Sequence, residues 1–83
     1  MNKLSISGLA LGFGFSWGIG MLLLGWAAGG LNWGNMLVEV FSSLYIGYGP
    51  TFWGGIIGAL WGFVDGAIGG IFVAAFYNMF CGQ

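Results

Sequence analysis

Charge is what this chain lacks most. Its 83 residues hold three charged side chains, Lys3, Glu39 and Asp65. A soluble domain carries about a quarter of its residues as Asp, Glu, Lys or Arg, so this one has no means of building a solvated surface. Basic patches are missing too, which argues against nucleic acid as a partner. Histidine is absent and Cys81 is the single cysteine, so an intrachain disulfide is excluded and the sequence holds no metal-ligand cluster. The Cys-Gly-Gln ending is not a prenylation box, and Cys81 reads as an idle thiol near a membrane boundary. No nucleophile–base pair or phosphate-cradling loop is present. Catalysis, a resident metal and a cofactor are therefore not expected.

What the chain does have is apolar length. Hydrophobic residues make up 59% of it, and they fall into segments that read as an all-α integral membrane protein with one domain over 1–83. The first span covers 4–28. It is far longer than the ~7–15-residue apolar core of a signal peptide, so it is expected to remain as a helix. Gly29-Gly30, Asn32, Gly34 and Asn35 form a helix stop and turn. The stretch 36–45 is too short to cross a bilayer, which takes about 20 residues as a helix. Trp33, Tyr45 and Tyr48 flank it, and amphipathic rings favour the headgroup level. A short interfacial helix is expected there, with Glu39 solvated or at headgroup depth. Gly47-Tyr48-Gly49-Pro50 then breaks the chain, and Pro50 suits the opening of a helix. The second span covers 51–80, about 45 Å at 1.5 Å per residue, longer than the ~30 Å hydrocarbon core. Together these predict a two-helix transmembrane hairpin. Lys3, the only basic residue, puts both termini on the cytoplasmic side by the positive-inside rule.

Glycine is the second abundance. Seven glycines lie between Gly54 and Gly70: Gly54, Gly55, Gly58, Gly62, Gly66, Gly69 and Gly70. On a helical wheel they gather on one side, while Trp53, Ile57, Leu60, Val64, Ala67 and Ile71 take the other. Each glycine costs a helix in water roughly 1 kcal/mol relative to alanine, so the stripe calls for compensation by close packing. A glycine zipper is expected on this face. The first span carries two small flanks. Ser7, Gly14, Gly18 and Gly25 form one; Gly12, Ser16, Gly20 and Ala27 form the other, roughly opposite. Two bare flanks can serve a hairpin partner and a neighbouring subunit at once, which predicts a homo-oligomer surrounded by lipid.

Asp65 stands at the midpoint of the second span. An ionised aspartate at that depth costs about 2.5–3.5 kcal/mol on insertion scales. Three resolutions are open: protonation, contact with water, or a counter-charge from a partner. Ser16 is at the midpoint of the first span, so a Ser16–Asp65 hydrogen bond is geometrically available in an antiparallel pair. Helix glue and ion or proton handling are both open for this side chain.

The stretches Ser42-Ser43-Leu44-Tyr45, Gly47-Tyr48-Gly49-Pro50-Thr51, Gly58-Ala59-Leu60-Trp61-Gly62-Phe63-Val64-Asp65-Gly66 and Tyr77-Asn78 resemble small two-span bacterial membrane proteins labelled bacteriophage holin-like. The likeness covers roughly the C-terminal half, with a looser Gly/Trp match in the first span. It implies self-association in the bacterial inner membrane and, for true holins, a lesion that releases a murein hydrolase. Holins usually carry a charged cytoplasmic tail, whereas residues 78–83 hold no charge. The chain is also similar to the proton-carrying ring subunit of rotary ATP synthases, with Asp65 as the carrier. It departs there in lacking the polar Arg-Gln-Pro loop and in placing its glycine repeat on the second span. A third reading is a structural or accessory subunit within a larger membrane protein complex.

Overall fold

Ser5 starts the first helix: its hydroxyl accepts from the Gly8 amide at 3.0 Å, the side-chain cap that a free helix N-terminus favours. From there α1 runs Ile6–Leu31, through Gly29 and Gly30, and stops at Asn32. Asn32 adopts a left-handed conformation (φ 52°, ψ 42°), and its amide turns back to the Ala27 carbonyl. Asparagine is the non-glycine residue best suited to such a stop. The helix therefore ends three residues later than the double glycine predicts, because glycine weakens a helix without obliging it to end.

The computed structural model describes residues 3–81, which form α1, α2 (Asn35–Ser42) and α3 (Phe52–Cys81). They make a rod of 50 × 18 × 17 Å. All the secondary structure among the described residues is helical. Both α1 and α3 are long and apolar enough to cross a membrane. Thr51 caps α3, accepting from the Gly54 amide at 2.8 Å. Pro50 thus sits just outside the helix rather than within its first turn.

α1 and α3 pack antiparallel along their whole length. Moving along α1, the backbone near Leu9 faces Gly70, Phe13 faces Gly66, Trp17 faces Gly62 and Leu22 faces Gly55. At the terminal end the Asn78 side chain clasps Leu4: its carbonyl oxygen accepts from the Leu4 amide at 2.7 Å, and its amide group donates to the Leu4 carbonyl at 2.9 Å. A primary amide holds a donor and an acceptor side by side, so this one side chain satisfies both backbone groups at once.

The connection does not bridge the helix ends directly. α2 folds back along α1, burying Val38 against Met21 and Ala28. It ends where the Ser42 and Ser43 hydroxyls donate to the carbonyls of Glu39 and Val40, at 2.8 and 2.6 Å, competing with continued helix. The chain then turns at Gly47, whose φ of 91° suits glycine, and climbs to Pro50. Tyr45 and Tyr48 are each 5% exposed and form part of the core. These two tyrosines, expected at headgroup level, pack into one buried cluster with Met21, Ala28 and Val38. Glu39 and Trp33 stay exposed.

Candidate functional site

Three side chains from three parts of the chain meet halfway along the rod. The Trp17 indole N–H donates to the Tyr45 hydroxyl at 3.0 Å, and that hydroxyl donates to Asp65 Oδ2 at 2.6 Å. Trp17 is eleven residues into α1, about 17 Å along its axis, and Asp65 is thirteen residues into α3, about 20 Å. The contact is thus near mid-length of both helices.

Tyr45 reaches this depth because its neighbours hold the returning chain there. Its ring stacks on Trp61 with centroids 5.9 Å apart and planes 2° from parallel. The Trp61 indole N–H donates to the Ile46 carbonyl at 2.9 Å. Phe41 fills in from α2, 5.6 Å from Tyr45 and edge-on to Trp17. One turn nearer the connection, the Tyr48 hydroxyl donates to the Met21 carbonyl at 2.7 Å, and its ring occupies the hollow over Gly58. The hydrogen bonds thus run from the indole through the phenol to Asp65.

Asp65 itself is exposed on the flank of the rod. Its side borders a groove of about 300 Å³ lined by Leu44, Tyr45, Trp61, Val64 and Ile68. No cation among the described residues is close to it. Lys3 precedes α1 at the terminal end, and Asp65 is sixteen residues, about 24 Å of helix, from the end of α3 there.

The glycines separate by what a methyl group would meet. At Gly66 and Gly70 a Cβ would run into the carbonyls of Phe13 and Leu9. At Gly62 it would approach the Gly18 Cα and the Trp17 carbonyl, each at 3.1 Å. A Cβ at Gly14 or Gly18 would come within 2.9 or 2.8 Å of the carbonyls of Phe63 or Ala59, and one at Gly25 within 3.1 Å of the Gly55 Cα. A Cβ at Gly54 would lie 2.6 Å from the Gly49 carbonyl oxygen, and one at Gly55 2.7 Å from the Trp26 indole. Gly69, by contrast, looks onto open space.

Ser16 does not reach Asp65. It is exposed on the side of α1 turned away from α3, with Gly12 and Gly20, where a Cβ would meet nothing. The hydroxyl that does arrive is Tyr45, from a segment whose depth the sequence did not reveal. One available signal was length: about 20 residues separate the spans, against a usual 2–8 between bundle helices, and such a stretch requires packing of its own. Its apolar content (Leu37, Val38, Val40, Phe41, Leu44, Ile46) was the other. Trp17 and Trp61 both donate hydrogen bonds at this site.

No protein-family model, characterised protein or solved structure matches this chain.

Proposed function

We propose that this chain is a small self-associating protein of the bacterial inner membrane, holin-like, whose hairpins assemble through the outer flank of α1 and permeabilise the bilayer. The observation that carries self-association is the unequal use of two flanks on one helix. Gly14, Gly18 and Gly25 are buried against α3 and the connection, whereas Gly12, Ser16 and Gly20 remain uncovered. In lipid the hydrophobic effect does not drive helices together, and small-residue stripes are where they approach closely. The inner flank completes the hairpin as a glycine zipper; the outer flank is left for a second copy. The mid-length position of Asp65 agrees with an assembly that brings polar groups into the bilayer, where acidic side chains usually face a bundle interior or water. The permeabilising role follows the resemblance of 42–51, 58–66 and 77–78.

The test uses the outer flank alone. Gly12→Leu and Gly20→Leu should leave the hairpin folded, dissolve the cross-linked oligomer in native membranes and suppress dye leakage from cells expressing the chain. If the wild-type chain is monomeric in cross-linked membranes, self-association is wrong. If it assembles yet accumulates harmlessly, the lytic role is wrong and an accessory role in a larger membrane complex takes its place.

A further inference from the structure

We propose that the groove beside Asp65 is a binding site for a lipophilic organic cation, such as a quaternary ammonium. The inference stands apart from the assembly described above, since this groove flanks α3 and the returning chain while the outer stripe belongs to α1. Three features of the groove select the ligand class.

The first is charge. Asp65 uses Oδ2 to accept from Tyr45, while its other oxygen takes no hydrogen bond among the described residues, and no cation among them is close. In its ionised form this acid, at mid-length of an apolar rod, has no counter-charge among the described residues. The second is the ring beside it. Trp61 lies one helical turn before Asp65, near enough on the helix surface for both to touch one guest. One side of its indole is stacked on Tyr45, yet it stays 40% exposed, so ring surface remains for a cation–π contact. The third is the apolar remainder. Leu44, Val64 and Ile68 supply no oxygen ligands, and the described residues hold no cluster of three or more His, Cys, Asp or Glu. Sodium or calcium would give up hydration for a single carboxylate. A diffuse organic cation gives up little and gains apolar contact. The groove's volume, about 300 Å³, is at the small end of the range for small-molecule sites. It opens on the flank of the rod, so a membrane-partitioning cation could enter sideways.

The experiment compares benzyltrimethylammonium with its neutral carbon isostere, neopentylbenzene, on the full chain in bicelles of zwitterionic lipid. Binding is followed by ligand methyl-proton NMR, with protein-free bicelles subtracted. The cation should bind saturably at one per chain and the isostere should not. Asp65→Asn keeps an acceptor for Tyr45 and should weaken the cation at least tenfold; Trp61→Leu should weaken it severalfold. Equal uptake of the two ligands, absence of saturable cation binding, or undiminished binding by a folded Asp65→Asn chain would each overturn the proposal. Should Asp65→Asn fail to fold, the two-ligand comparison on the wild-type chain decides alone.

Discussion

Between Trp17 and the termini, α1 and α3 touch backbone to backbone alone; between Met21 and the connection they still approach at Gly25 and Gly55, but a third strip of chain is wedged against them. Glycine serves both halves, for different reasons. In the terminal half Gly62, Gly66 and Gly70 admit the carbonyls of the facing helix. In the connection half Gly58 admits an aromatic ring, and Gly54 the loop carbonyl of Gly49. One periodic stripe thus builds a rigid two-helix seam at one end and a socket for an inserted segment at the other. Helical backbone cannot move aside without breaking its own ladder. A ring can be displaced if its loop gives way. The terminal half should therefore be the less forgiving.

That contrast predicts the largest effect at Gly66. Leucine there would drive a side chain into the Phe13 carbonyl and toward the Trp17 Cβ, which is 2.8 Å from the position of the first added carbon. Overpacking usually costs about 1–3 kcal/mol, and with backbone on the receiving side the expected cost is at or above the upper end. The SDS concentration needed to unfold the hairpin, followed by tryptophan fluorescence, should drop sharply. An unchanged unfolding midpoint would mean that the terminal half is as pliant as the other.

Gly58→Ala comes next. Even one methyl falls within the Tyr48 ring, yet here the loop can yield, and a cost of about 1–3 kcal/mol is expected in SDS unfolding followed by tryptophan fluorescence. Combining it with Tyr48→Ala should recover part of that loss, since the ring causes the clash. A coupling energy of about 1 kcal/mol or more is expected of residues in direct contact. Additive losses would show that Gly58 matters for some reason other than seating the ring.

The same contrast explains which parts of the architecture were readable in advance. The two long helices, their antiparallel pairing and the bare face of α3 follow from apolar length and four-residue glycine spacing, both local properties of the sequence. Gly69 is the exception on that face. It shares the wheel position, yet a Cβ there would meet nothing within 4 Å. The depth of Tyr45 was not readable, because it depends on long-range partners: the Trp61 stack, the Ile46 carbonyl and the positive φ at Gly47. A tyrosine beside a helix break has the same composition whether it rests at a boundary or folds inward. Asn78 was hidden likewise, since its clasp on Leu4 joins residues 74 positions apart.

Tyr45→Phe gives a smaller, more diagnostic effect. The ring would keep its stack on Trp61, while the Trp17 indole and Asp65 would each lose a partner. Hydrogen bonds within membrane proteins average about 0.6 kcal/mol, so a loss of about 1 kcal/mol is expected, with helicity by circular dichroism unchanged. The Trp17 indole N–H resonance should move in an NMR spectrum as its acceptor disappears. If it stays in place, the relay does not form in the bilayer.

The smallest effect sharpens the comparison most, because it sets two glycines of one helix against each other. At Gly14 a methyl would come within 2.9 Å of the Phe63 carbonyl, and at Gly12, two residues earlier, within 4 Å of nothing. Helix propensity favours alanine over glycine by up to about 1 kcal/mol at either site in water, so propensity cannot separate them. Only the facing surface can. Gly12→Ala should be neutral or slightly stabilising in SDS unfolding of the isolated hairpin, and Gly14→Ala destabilising. In the assembled state the order should tighten, since a second copy on the outer flank would make Gly12 sensitive too. A Gly12→Ala chain with an unaltered hairpin but a weakened oligomer would thus place a neighbour on that flank. Neutrality in both states would leave the outer stripe to lipid.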